Sequence, residues 1–220
     1  MKNLFFYFAL FSHLLIHSQD NDIGNWLIYF GNKQINEKYN FHHEVQYRNY
    51  NFIGDKEQLL IRSGIGRNFS DNLNLLIGYG FIDSNNYKNN IKYSSKENRI
   101  FQQIILKQNI WKLSFQHRYR FEQRFIDGDY KTRYRYFVNF NYPINLENLH
   151  LSRNNKLLVY ISFYNEIFLN GQSKVFDRNR LYGGLGFKLN KYLKFEIGYM
   201  NQFFEDSSRD QLNIMTFFNF

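Results

Sequence analysis

Residues 117–125 read HRYRFEQRF, an order that few folds can accept. Taken by twos, Arg118, Arg120, Glu122 and Arg124 fall in one row, with Tyr119, Phe121 and Phe125 in the other. A helix, turning about 100° per residue, would scatter those four charges around its surface. A strand, whose side chains alternate, keeps them on one face. The stretch therefore predicts a strand that is charged on one side and aromatic on the other. What each side touches decides the fold class.

The pattern recurs along the chain. Tyr39, Phe41, His43, Val45 and Tyr47 alternate with Asn40, His42, Glu44, Gln46 and Arg48. Trp111, Leu113, Phe115 and His117 lead into the aromatic row above, opposite Lys112, Ser114 and Gln116. Tyr134, Tyr136, Val138, Phe140 and Tyr142 oppose Arg133, Arg135, Asn139 and Asn141. Leu193, Phe195, Ile197 and Tyr199 oppose Lys194, Glu196, Gly198 and Met200. Soluble strands average about five or six residues. These runs are nearer the ~9–11 tilted residues that a barrel strand needs to cross hydrocarbon. A soluble sandwich would carry shorter strands and more turn prolines than the single proline present. The expected fold is an all-β, antiparallel up-and-down transmembrane barrel.

Residues 1–18 differ in kind. Lys2 precedes the apolar run LFFYFALFSHLLI and then His17-Ser18, which has the length of a signal-peptide core and is short for a bilayer span. A cleaved leader over 1–18 and a barrel over 19–220 are expected. Mean hydropathy is −0.55, and no later run is continuously apolar over a helix span. With no cysteine, disulfides, thiolate metal sites and lipoprotein-type attachment are all excluded.

Magnitudes assign the faces. An arginine on the lipid side near mid-depth costs roughly 2–4 kcal/mol, so four charges on one strand must point into the lumen. The same reasoning places Glu44, Arg48, Arg62, Arg133, Arg135, Glu166, Arg180 and Glu196 inside with Arg118, Arg120, Glu122 and Arg124. An interior of eight to twelve strands is narrow enough for side chains to fill. These residues are candidates for an ion-pair network plugging the bore, or for an electropositive lumen that binds or passes small anionic solutes. The formal charge of +9 would suit nucleic acid, but there the aromatics and the basic groups share a face. Here they oppose one another.

The connections read as short turns at 70–72, 108–109 and 190–191, alternating with longer polar loops at 51–57, 83–98, 126–131, 169–177 and 205–210. Short turns on one rim and longer loops on the other suit a bacterial barrel. The long connection 143–156 falls on the short-turn rim. About eleven strand candidates are visible, and the even-number habit of single-chain barrels leaves ten, with the first segment a partial strand or lumen-crossing piece, or twelve, with a short extra strand inside 143–156. The chain ends QLNIMTFFNF, with Phe218 and Phe220 on the apolar row. This resembles the terminal signature read by the barrel-assembly machinery.

HRYRFEQR at 117–124, NEIFLN at 165–170, RLYGGLGF at 180–187 and GYMNQ at 198–202 together resemble domain-of-unknown-function family 2490, small outer-membrane barrel proteins of Bacteroidota-type bacteria. The resemblance implies an outer-membrane location, with outer-membrane lipids and the assembly machinery as partners. It implies no activity and no functional residues. A monomer without cofactor or metal is expected, acting as a structural element, a narrow pore or a surface-binding module.

The rival is a lipid-modifying hydrolase with a site at the rim, which needs a base beside a nucleophile. His117 and Ser114 point to opposite faces. His42 shares a face with Glu44 but lacks an alternate serine, leaving Ser63 or Ser162 on other strands as possible partners. Asp127-Gly128-Asp129 has calcium-compatible oxygens, too few for a site. Gly183, Gly184 and Gly186 read as kinks that help the sheet curve.

Overall fold

The computed structural model describes residues 23–52, 54–88, 91–144, 150–152, 155–172 and 174–220. The expected leader, with its boundary after residue 18, lies outside the described residues. Thirteen strands follow in chain order: β1 (Gly24–Gln34), β2 (Tyr39–Asn49), β3 (Lys56–Asn68), β4 (Leu73–Lys88), β5 (Ile91–Ile110), β6 (Leu113–Ile126), β7 (Asp129–Ile144), β8 (His150–Ser152), β9 (Asn155–Lys156), β10 (Leu158–Asn170), β11 (Phe176–Lys188), β12 (Leu193–Phe203) and β13 (Ser208–Asn219). All but β8 and β9 form one closed barrel, in the order β1-β13-β12-β11-β10-β7-β6-β5-β4-β3-β2.

The barrel therefore has eleven strands among the described residues, neither of the even numbers expected. An odd up-and-down chain brings its first and last strands together running the same way. β1 and β13 accordingly pair in parallel, from Gly24↔Gln211 to Asn32↔Asn219, while every other pair in the barrel is antiparallel. The expectation of a wholly antiparallel barrel is corrected at this one seam. Nor is β1 a partial or lumen-crossing piece. Its outer neighbours on the sheet are β2 and β13, and closure leaves no unpaired edge. Among the described residues, connection 143–156 adds no barrel strand: β7 extends through Pro143 to Ile144, and β8 and β9 make a separate two-stranded sheet.

The distribution of residues is inverted relative to a soluble protein. Glu44, Glu122, Gln202, Gln211 and Asn213 are among the most deeply buried side chains, whereas Ile61, Ile77, Ile104, Tyr119, Leu185 and Tyr199 lie exposed on the outer wall. An apolar exterior that encircles a polar interior suits lipid outside and not water.

Several connections differ from expectation. The polar stretch 83–98 is a hairpin, because β4 and β5 continue pairing from Asp83↔Lys96 to Lys88↔Ile91. Both faces are polar there, so alternation gives no strand signal. Asp55 and Lys56, at the start of β3, hold it up: Lys56 Nζ reaches Asp83 at 2.7 Å, and Tyr87 and Lys92 both donate to Asp55 at 2.9 Å. The bond from Lys92 holds the Asp55 carboxyl below its ordinary range.

The connection at 126–131 is a tight turn, with Ile126 pairing Asp129 and positive φ at both Asp127 (49°) and Gly128 (99°). Two such central residues are what a type I′ hairpin requires. Asp127 accepts from the Lys96 amide, which accounts for its carboxylate without calcium. The turn expected at 108–109 sits at Trp111 and Lys112, because β5 and β6 pair out to Ile110↔Leu113. Trp111 is thus at a turn (φ 54°) and fully exposed, not in the strand.

The seam is open to a direct check, since the chain has no native cysteine. Leu27→Cys combined with Ile214→Cys, a register pair, should form a disulfide in the folded barrel. Leu27→Cys with Phe218→Cys, four residues further along and roughly 13 Å away, should not. Non-reducing gel mobility reads both. Absence of the first cross-link in a folded barrel would contradict closure through β1.

Candidate functional site in the barrel lumen

The inward row of β6 supplies the centre of the site. Glu122 lies opposite Arg133 across the β6–β7 ladder, with Arg120 opposite Arg135. This register lets one carboxylate serve several guanidinium groups. Arg133 donates through Nε and Nη2 to Glu122 Oε2 at 2.9 and 2.8 Å. Arg135 Nη1 and Arg99 Nη1 reach Oε1 at 2.7 and 3.3 Å. Arg120 comes within 3.8 Å without a hydrogen bond and donates instead to Gln103, at 2.9 and 2.7 Å.

A second hub is Glu166 on β10. It accepts from Arg118 at 2.7 Å and from Arg135 at 2.7 and 3.1 Å, with Arg180 at 3.7 Å. Arg135 therefore bridges both hubs. On β2, Glu44 pairs with Arg62 at 2.5 Å, accepts from Gln46 and lies 3.5 Å from His42 Nε2. Near the longer-loop rim, Glu97 binds Arg124 through two bonds of 2.8 and 2.9 Å, and Arg99 Nε at 2.7 Å.

Two arginines lean on rings and amides. Arg48 has no carboxylate within ion-pair distance among the described residues; it donates to Gln46 and Gln58 and lies 3.7 Å over the Trp26 ring. Arg180 approaches the same ring at 4.7 Å, stacks on Phe168 at 4.5 Å and donates to Gln202 at 2.7 Å. Trp26 on β1 thus joins β2 to β11 across the bore. The candidates Glu44, Arg48, Arg62, Arg118, Arg120, Glu122, Arg124, Arg133, Arg135, Glu166 and Arg180 all belong to this one layered network of ions and rings. Glu196 stands apart, accepting from Tyr160 Oη at 2.6 Å.

Sequence reasoning missed Glu97, Arg99, Phe101 and Gln103, although they alternate with Asn98, Ile100, Gln102 and Ile104; treating 83–98 as a loop cut the run short. It also misread two glycines. Side chains at Gly184 and Gly186 would collide with the Tyr182 and Tyr160 rings, whereas Gly183 faces open space outside. The inward pair leave room for aromatic rings in the bore rather than bend the sheet.

Toward the short-turn rim the network gives way to a vestibule of about 960 Å³. Its lining runs from Gln34, Lys38, Ser70 and Asn219 near the short turns to the network itself, where Arg48, Arg62, Arg118, Arg120, Arg135 and Arg180 border it. The rival hydrolase residues do not assemble. His117 bonds Tyr136 Oη at 2.9 Å on the outer wall. His42 sits opposite Asn32 and Gly64, Ser63 lies opposite His43, and Ser162 accepts from Asn139 at 3.1 Å. Among the described residues no hydrogen bond joins a serine to His42 or His117, and no group of three metal-ligating side chains occurs.

A closed β-barrel with an apolar wall and an Arg/Glu-rich lumen is the class these observations define. The chain belongs to the family described as "Protein of unknown function (DUF2490)", whose model matches residues 23–213. It is also similar to an uncharacterized protein of Methylorubrum extorquens, 28% identical over 167 residues that cover 72% of this chain and 69% of that protein. Fold and family are consistent with an outer-membrane location.

Breaking a hub should cost more than breaking a surface pair. Glu122→Gln removes the shared charge of Arg99, Arg133 and Arg135, and should lower unfolding stability by about 3–5 kcal/mol. Urea unfolding of the barrel in lipid vesicles reads the loss. A change below ~1 kcal/mol, typical of an exposed pair, would show that the hub does not hold the bore together.

Proposed function

We propose that this is a non-enzymatic, monomeric outer-membrane protein of a Gram-negative bacterium, whose bore is closed to through-flow and whose lumen prefers small anions. In this reading the leader at 1–18 directs export, and β13 with Phe218, followed by Phe220, presents the chain to the barrel-assembly machinery. The outer aromatics meet membrane lipids. The longer connections face outward, and the vestibule opens to the periplasm.

The observation that carries the anion preference is a charge imbalance in the bore. Among the described residues seven arginines are buried (Arg48, Arg62, Arg99, Arg120, Arg133, Arg135 and Arg180) against five glutamates (Glu44, Glu97, Glu122, Glu166 and Glu196). Guanidinium does not give up its proton in proteins, and an unpaired buried ion costs several kcal/mol. A mobile or bound anion offsets that cost. Closure of the bore is supported by contacts that span it, such as Arg180 against Trp26 and Asn213 Nδ2 to Tyr164 Oη at 3.3 Å. The non-enzymatic reading is supported by the register, which sets Ser63 opposite His43 and not His42, and by the Asn139 bond that Ser162 accepts.

Two measurements test this. In a planar bilayer the refolded barrel should give no stable conductance steps; sustained anion-selective steps would replace the closed bore with a narrow pore. Added inorganic phosphate should raise the unfolding midpoint more than chloride at equal ionic strength. Equal midpoints would contradict an anion-preferring lumen.

A further inference from the structure

The vestibule has unlike walls, and that difference narrows what it can hold. Among the arginines that line it, three carry buried donors without a hydrogen-bond partner. Arg62 is 4% exposed and Arg120 3%; Nε and Nη1 of Arg62, Nη1 of Arg120 and Nε of Arg118 have no hydrogen-bond partner among the described residues. Buried polar groups are nearly always satisfied, so each exception asks for a partner. The three arginines that carry these donors all line one cavity, from β3 and β6. Arg62 has Glu44 for a partner and Arg118 has Glu166. Arg120 makes its hydrogen bonds to a neutral amide, and its Nη1 stands 3.8 Å from Glu122, beyond hydrogen-bond reach. Guanidinium groups with free edges are built for carboxylate or phosphoryl oxygens.

The β1–β13 side of the same cavity is apolar. Phe30 and Phe217 stack at 4.9 Å, are only partly buried, and adjoin Ile28 and Met215. The interior of a barrel open to water is ordinarily polar, and a short polar anion held by the arginines would not cover this apolar pair, of which Phe217 carries Lys194 Nζ at 4.5 Å on its ring. The volume of about 960 Å³ falls within the range of small-molecule sites, ~300–1,000 Å³.

We infer that the vestibule binds a small oxyanion carrying an apolar or aromatic body, its charged head on Arg62, Arg118 and Arg120 and its body against Phe30 and Phe217. This rests on the anion-preferring lumen proposed above and adds the ligand's second half. Entry is from the short-turn rim, and the Arg/Glu network beyond Arg120 stops passage further. The site is a receptacle and not a channel.

Calorimetric titration of the refolded barrel in detergent tests this, with phenyl phosphate, benzoate, inorganic phosphate and phenol as probes. Phenyl phosphate, benzoate or both should saturate one site at least tenfold more tightly than inorganic phosphate or phenol. Phenyl phosphate alone would mark a phosphoryl head, and benzoate alone a carboxylate. Arg118→Gln should weaken the bound aromatic anion about tenfold; Glu166 keeps Arg135 and Arg180, and heat-dependent gel mobility checks that the variant folds. Phe30→Leu should weaken phenyl phosphate while leaving inorganic phosphate unchanged. If inorganic phosphate binds as tightly as phenyl phosphate, this inference fails and the anion-preferring lumen stands. If no probe binds, both fail. Binding that survives Arg118→Gln at full strength would move the site elsewhere and overturn the assignment.

Discussion

Hydrocarbon offers no hydrogen bonds and solvates no charge, and the rest of this structure follows from that. A backbone group left unpaired in lipid costs several kcal/mol, so the sheet has to close on itself. With eleven strands, closure demands one parallel seam, and β1 and β13 supply it. A guanidinium turned outward would cost a similar amount, so each alternating strand has one permitted facing. Slipping any strand by one residue would exchange its two rows completely. The register of HRYRFEQRF is therefore dictated by the outer solvent before any specific contact is counted.

Turning so many arginines inward creates a second problem, which the bore solves by sharing. Glu122 and Glu166 each serve several guanidinium groups, and Arg135 links the two. Rings take part of the load where carboxylates run out: Trp26 lies between Arg48 and Arg180, and Phe168 beneath Arg135 and Arg180. Desolvated cation–π contacts can contribute about 2 kcal/mol each. Glycines on neighbouring inner rows leave the space that the Tyr160 and Tyr182 rings occupy. Even so the buried arginines outnumber the buried glutamates among the described residues, and the proposed preference for anions rests on that excess.

Facing and strand length were legible because both follow from a local rule, the two-residue period. From Tyr39 to Arg48 and from Leu113 to Arg124 the alternation alone separates wall from bore. Turn positions were less so. Alternation runs unchanged through Gln108–Leu113, and nothing in it says that reversal comes at Trp111. At 83–98 the ladder outlasts the apolar row, because a hairpin with polar groups on both faces is held by Asp55 and Lys56 and not by lipid. The parallel seam was hidden by the even-number habit of barrels; counting β1 at face value would have given it. Partner choice in the bore was the least legible. That Glu122 serves Arg133 and Arg135 depends on the β6–β7 register, which a single strand does not contain.

The account rests most directly on the facing of β6. Single cysteines placed in turn at 117–125, labelled with an environment-sensitive fluorophore in lipid vesicles containing a nitroxide-bearing lipid, would read it residue by residue. The expected result is strong quenching at Tyr119, Phe121 and Phe125, and weak quenching at Arg118, Arg120, Glu122 and Arg124. Uniform quenching, or the opposite alternation, would contradict a charged lumen enclosed by an apolar wall.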